Sequence, residues 1–94
     1  MTYLHYELDL SPDELVQVRL DNRANVRLLE ESNFQKYSSG QQYHYYGGPA
    51  EESPFRLAAP SKGRWHLVID LGGHAGAVHA AVETISAGQS VARP

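Results

Sequence analysis

The residues Gly63-Arg64-Trp65-His66-Leu67-Val68-Ile69-Asp70-Leu71-Gly72-Gly73 leave a short chain few ways to fold. As an extended strand they send Trp65, Leu67, Ile69 and Leu71 to one side and Arg64, His66, Val68 and Asp70 to the other. The first set is large and wholly apolar and belongs in a core. The second carries two charges and a histidine around one valine, so that side is expected to be at least partly wet. Wound as a helix, the same residues would scatter their apolar groups around the circumference. β-Branched residues, an aromatic and flanking glycines also favour a strand. Pro60-Ser61-Lys62-Gly63 reads as a tight turn, which predicts an antiparallel hairpin between 55–59 and 64–71. An indole sealed in such a core removes about 150–250 Å² from water, a large contribution in a chain of 94 residues.

The same alternation recurs along the chain. Leu4, Tyr6 and Leu8 oppose Tyr3, His5 and Glu7; Val16, Val18 and Leu20 oppose Gln17 and Arg19; Val26 and Leu28 oppose Asn25 and Arg27. The short polar connection Asp21-Asn22-Arg23-Ala24 predicts a second hairpin joining the latter two runs. The pattern breaks at Glu30-Glu31-Ser32. Ser32 as N-cap, Phe34 and Tyr37 three apart, and Gly40 at the end predict a short helix over 33–39, plugging an open end of the sheets. Strands are expected again over 42–47, at 55–59 between two prolines as an edge, and over 77–85. Residues 86–94 carry no apolar pattern and are expected to form a loose tail after a single domain at 1–85. These signals predict an all-β, antiparallel two-sheet β-sandwich of jelly-roll-like connectivity, with about seven strands and one short helix. An SH3-like or OB barrel is the alternative. It needs fewer strands, and the aromatic-plus-basic face of an OB fold is missing.

Composition narrows the function. Hydrophobic residues make up 41% and charged residues 20%, enough for one domain to fold alone. The chain has no cysteine, so disulfides, thiolate zinc sites and a cysteine nucleophile are excluded, which fits a cytoplasmic location. The eight basic residues stand singly against a net charge of −3, which argues against nucleic acid and anionic membranes as partners. No apolar run reaches the length of a membrane span, and the first residues already alternate rather than forming a signal peptide.

No catalytic set can be assembled. The serines lie in turns and caps without a Gly-x-Ser-x-Gly pattern, and the paired carboxylates Glu30-Glu31 and Glu51-Glu52 fall in loops. The double glycines precede no helix that could hold a phosphate. Among the five histidines, His66 lies about 13 Å along its strand from Asp70 at roughly 3.3 Å per residue. A metal site would require His66 to meet His79 or His44, and no ligand spacing supports one, so isolated rim histidines, no metal and no cofactor are expected. The strongest lead is Tyr43-His44-Tyr45-Tyr46. Tyr43 and Tyr45 share one face and His44 and Tyr46 the other, so one pair must lie largely outside. Tyr43, His44, Tyr45, Tyr46, Arg64 and His74 are the expected contact residues for a protein partner, a second copy in a homodimer, or a small ligand.

Ala24-Asn25-Val26-Arg27-Leu28, Ser32-Asn33-Phe34, Tyr46-Gly47-Gly48, Ser53-Pro54, Gly63-Arg64-Trp65 and Asp70-Leu71-Gly72-Gly73 resemble a small bacterial domain of unknown function, of the DUF1883 type, over roughly 3–85. The resemblance implies a compact β-sandwich that in some members stands beside TIR signalling domains, and carries over no functional residue. The expected role is a non-catalytic binding or interaction module. The alternative is a small-molecule sensor acting with a TIR-type signalling protein.

Overall fold

A computed structural model describes residues 3–86. Seven strands and one helix follow in the order β1 (Tyr3–Leu10), β2 (Glu14–Leu20), β3 (Ala24–Leu29), α1 (Glu31–Ser38), β4 (Tyr46–Ala50), β5 (Phe55–Ala58), β6 (Gly63–Asp70) and β7 (Ala80–Ser86). Two antiparallel sheets, β1-β6-β3-β4 and β5-β2-β7, form the predicted sandwich. The predicted tail lies outside the described residues apart from the end of β7.

The indole is where the alternation places it. Trp65 is 2% exposed, and its Nε1–H donates to the Ser61 carbonyl at 3.0 Å. It packs with Leu67 and Ile69, with Val26 and Leu28 of β3, and with Val16 and Val18 from the facing sheet. Hydrophobic burial between two pleated faces is the main driving force here.

Neither predicted hairpin forms. β5 pairs with β2, and β6 sits between β1 and β3, so the turn at 60–63 carries the chain from one sheet to the other. β2 and β3 likewise lie in different sheets. Among the described elements, only the link from β3 through α1 to β4 stays within one sheet. A short polar connection marks a reversal of direction. It does not say whether the returning strand bonds to its predecessor or folds over onto the opposite layer. β5 does lie at a sheet edge, as its flanking prolines predict.

Of the β6 face expected to be at least partly wet, Arg64 alone is exposed. His66, Val68 and Asp70 are all buried. α1 lies against the outer side of β3 and β6, and does not plug an end of the sandwich. Tyr37 joins Leu29 and Val68 in a second apolar cluster, flanked by Tyr3, Phe34 and Tyr43. The helix starts at Glu31, with Glu30 as its cap residue and no side-chain cap bond, so Ser32 is not the cap. Acidic Glu31 in the first turn and basic Lys36 in the last suit the helix dipole. Past the helix, Gly40 N donates to Tyr37 O at 3.3 Å and Gln41 N to Lys36 O at 2.9 Å, closing it at the predicted glycine.

Two strand boundaries also move. Residues 42–45 are irregular and β4 begins at Tyr46. The Asn33 side chain takes the His44 N–H at 2.9 Å, and Tyr43 docks on Tyr37, so this segment is held by the helix instead of by a ladder. β7 begins at Ala80, after His79 exchanges backbone and side-chain bonds with Asp21. In β4, Gly47 has φ +115, and a Cβ there would lie 2.3 Å from the Val26 carbonyl oxygen, so no other residue fits without moving the backbone.

Candidate functional site

Strand register builds the outer face. β1 runs antiparallel to β6, with Tyr3 opposite Asp70, Glu7 opposite His66 and Asp9 opposite Arg64. β3 lies on the other side of β6, with Asn25 opposite Asp70 and Arg27 opposite Val68. The polar positions of three strands therefore converge beneath α1.

One group gathers on Asp70, whose residue is 1% exposed. Its Oδ1 accepts from Asn25 Nδ2 at 3.0 Å and from the Gly72 backbone N–H at 2.9 Å. Its Oδ2 accepts from the Tyr37 hydroxyl at 2.7 Å and from Arg27 Nη1. Gly72 has φ +66, which turns its N–H back onto the carboxylate. Burial works to raise the Asp70 pKa, but the donors from Asn25, Tyr37, Arg27 and Gly72 outweigh it and hold it below the usual carboxylate value. Burial and the bond to Asp70 push the Tyr37 phenol well up. Burial alone would lower Arg27, but its bond to Asp70 keeps it above its usual value. A carboxylate so fully used is a tie between helix, loop and sheet, with no spare acceptor for chemistry.

The second group is a pair of histidines that the expectation of isolated rim residues missed. His5 Nε2 and His66 Nδ1 lie 2.8 Å apart, with the two rings only 16° from coplanar. The Phe34 ring covers both, stacked at 4.2 Å on His5 and 4.4 Å on His66. His66 Nε2 meets Glu31 Oε1 at 2.7 Å. An ionised Glu31 accepts from Nε2–H, which leaves His66 Nδ1 as acceptor for His5 Nε2–H. Bonds from Gln35 and His66 hold the Glu31 carboxyl low. Partial burial and the adjacent His66 push His5 below its usual value, against the pull of Glu7 and Glu31. Glu7 shares this face, and its Oε2 accepts from Arg64 Nη1 at 3.0 Å.

The third group is aromatic. Tyr43 meets Tyr37 edge to face at 5.1 Å, and Tyr45 lies 5.7 Å from Tyr43. The Arg27 guanidinium sits 5.2 Å from the Tyr45 ring centre and 6.0 Å from those of Tyr37 and Tyr43. Tyr45 is 43% and Tyr46 47% exposed, and they are the exposed large hydrophobics among the described residues. Tyr46 turns the other way, onto Trp65 at 5.8 Å edge to face.

The six sequence-predicted contact residues thus divide. Tyr43 and Tyr45 flank Arg27; Tyr46 leans on Trp65; His44 is exposed between them. Arg64 stands at the start of β6, paired with Asp9 at 2.8 Å and with Glu7. His74 lies beyond the opposite end of β6, on a cleft of about 520 Å³ also lined by Tyr3, Leu71 and Val78. Asp70, Tyr37, His5 and Glu31 are not among the contact residues expected from sequence. Their signal was the complementary charge on alternate positions of β1, β3 and β6, legible only once those strands are paired.

Fold and site together define an all-β sandwich whose outer sheet face is sealed by one helix over a polar and aromatic cluster. The chain belongs to the family described as a domain of unknown function (DUF1883), whose model matches residues 1–88. No curated protein and no solved structure matches the chain. No helix among the described residues is long and apolar enough to cross a membrane.

Proposed function

We propose that this domain is a non-catalytic, cytoplasmic binding module, and that the segment around Tyr45 is its contact surface for a protein partner. The observation that carries this is the exposed Tyr45 ring held over Arg27, itself fixed by the buried Asp70. Tyrosine and arginine are the residue types that dominate the energetics of protein interfaces. A ring braced in advance loses little conformational freedom on binding. The Asp70 carboxylate offsets the Arg27 charge, so the surface offers aromatic faces with phenolic tips instead of a bare cation. A photo-crosslinking residue at position 45 should capture a partner that the same residue at Thr84, on the other sheet, does not. The capture should be competed by unlabelled parent and not by Tyr45→Ser. Equal capture at both positions overturns the proposal, and a product of twice the chain mass replaces the partner with a second copy.

The cleft beside His74 favours a second reading, a sensor of small molecules that works with a TIR-type signalling protein. Its volume suits a small organic ligand. Melting-point shifts with nucleotides or sugars, lost in His74→Ala, are the result it expects.

A further inference from the structure

We propose that His5, His66 and Glu7 form a binding site for one divalent transition-metal ion of the zinc class, with Glu31 holding His66 in position from behind. Their ligating atoms all lie within 4.8 Å of one another. Two neighbouring strands supply them: His5 and Glu7 are two apart on the same face of β1, and Glu7 stands directly opposite His66 on β6. A pleated sheet fixes such a set without help from loops.

The geometry of the two rings carries the argument. A metal ion lies in the plane of an imidazole, along the nitrogen lone pair. The His5 and His66 rings are 16° from coplanar and present Nε2 and Nδ1 to each other at 2.8 Å. A tetrahedral zinc ion with nitrogen ligands at about 2.0–2.1 Å holds them about 3.3 Å apart, so the two nitrogens must separate by about half an ångström and the His5 ring must pivot, because the nitrogens now face each other head-on in a hydrogen bond. His5 is exposed and can make that shift. Phe34 stacks on the ring faces and not on the nitrogen edges through which an ion would be bound.

Glu31 on His66 Nε2, at 2.7 Å, is the carboxylate–histidine arrangement that fixes the tautomer of a metal-bound imidazole and raises its basicity. It leaves Nδ1 as the ligand nitrogen. His5 frees its Nε2 lone pair by carrying its proton on Nδ1, with no net proton lost. Glu7, 3.0 Å from Arg64 through Oε2, supplies the anionic third ligand. His5 and Glu7 are both exposed, so solvent or a small anion can take a fourth position. Two imidazoles and one carboxylate suit zinc, cobalt or nickel better than calcium or magnesium, which prefer oxygen alone.

The test is calorimetric titration of the EDTA-treated full chain with zinc chloride, beside the absorption spectrum with cobalt. The expected result is a single zinc equivalent and a tetrahedral cobalt band. His5→Ala and Glu7→Gln should each weaken binding about tenfold or more, while His79→Ala, which alters an exposed histidine paired with Asp21 elsewhere, should leave it unchanged. Thermal melting of each metal-free variant shows whether it folds. His5 and Glu7 are exposed, so both variants should, whereas His66→Gln is withheld because that residue is buried. In the folded parent, ¹⁵N spectra should report zinc at His66 Nδ1 and not at Nε2. Absence of saturable uptake at micromolar zinc, or uptake that His5→Ala leaves intact, overturns the site. Loss with His5→Ala but not with Glu7→Gln overturns the three-ligand geometry.

Discussion

The two faces of the four-stranded sheet are built on opposite principles. The inner face is a dry, non-directional core: Trp65, Leu67, Ile69, Val26 and Leu28 meet the facing sheet through apolar contact. The outer face is buried at its centre as well, yet what it buries is directional. Asp70 collects four donors there, and His66 stands between His5 and Glu31. Apolar packing tolerates many arrangements of similar volume, whereas a buried carboxylate accepts only those that satisfy it. The inner face therefore supplies most of the stability. The outer face sets where α1 and the loop after β6 must lie, and so positions every candidate site.

This contrast can be broken from either side. The largest expected effect is Trp65→Ala, which removes the indole from the inner core and should cost about 3–5 kcal/mol in urea-induced unfolding, a large part of the total for a domain of this length. A melting point within a few degrees of the parent would remove the inner core from that role. Next is Asp70→Asn, which leaves the Arg27 guanidinium facing a neutral amide in a mostly buried site and should cost about 3 kcal/mol. The same substitution carries a pH signature. The folded chain keeps Asp70 ionised where the unfolded chain takes up a proton, so the parent loses stability as pH falls below the ordinary value of 3.8. Asp70→Asn should lack that part of the acid limb. Parallel acid limbs in urea titrations of the two proteins would count against the network.

Tyr37→Phe keeps the ring among Leu29 and Val68 but removes the hydroxyl from Asp70. It should cost about 2 kcal/mol and speed amide exchange in α1 more than in β6. Uniform acceleration would mean that helix and core open as one unit. The smallest effect belongs to Tyr45→Ser, which loses a half-exposed ring over Arg27 and should shift stability by less than about 1 kcal/mol while weakening partner capture. A large loss of stability there would make Tyr45 a structural residue of the outer face.

Much of the architecture was legible in order along the chain. Alternation around Trp65 names the inward residues of β6, and similar runs name those of β1, β2 and β3. Each needs only the strand's own period of two. The short helix was legible from the break in that pattern, but its place was not, because Phe34 and Tyr37 could cover an open end as well as a face. The site was hardest to read. His5 and His66 stand 61 residues apart and meet only because β1 chooses β6 as its neighbour. An adjacent-hairpin rule directs β6 to β5 instead. Asp70 looked hydrated for the same reason: nothing in its own strand announces that a helix from elsewhere covers it.

The order of residues alone determined which side chains each strand turns inward, where the chain must turn, and that an all-β sandwich results, since a period of two is a local property of extended backbone. Tertiary structure decided which strands are neighbours, which outer face the helix covers, and hence that two histidines and a buried carboxylate find their partners. Those choices depend on burial summed over both sheets, and no single segment contains that sum.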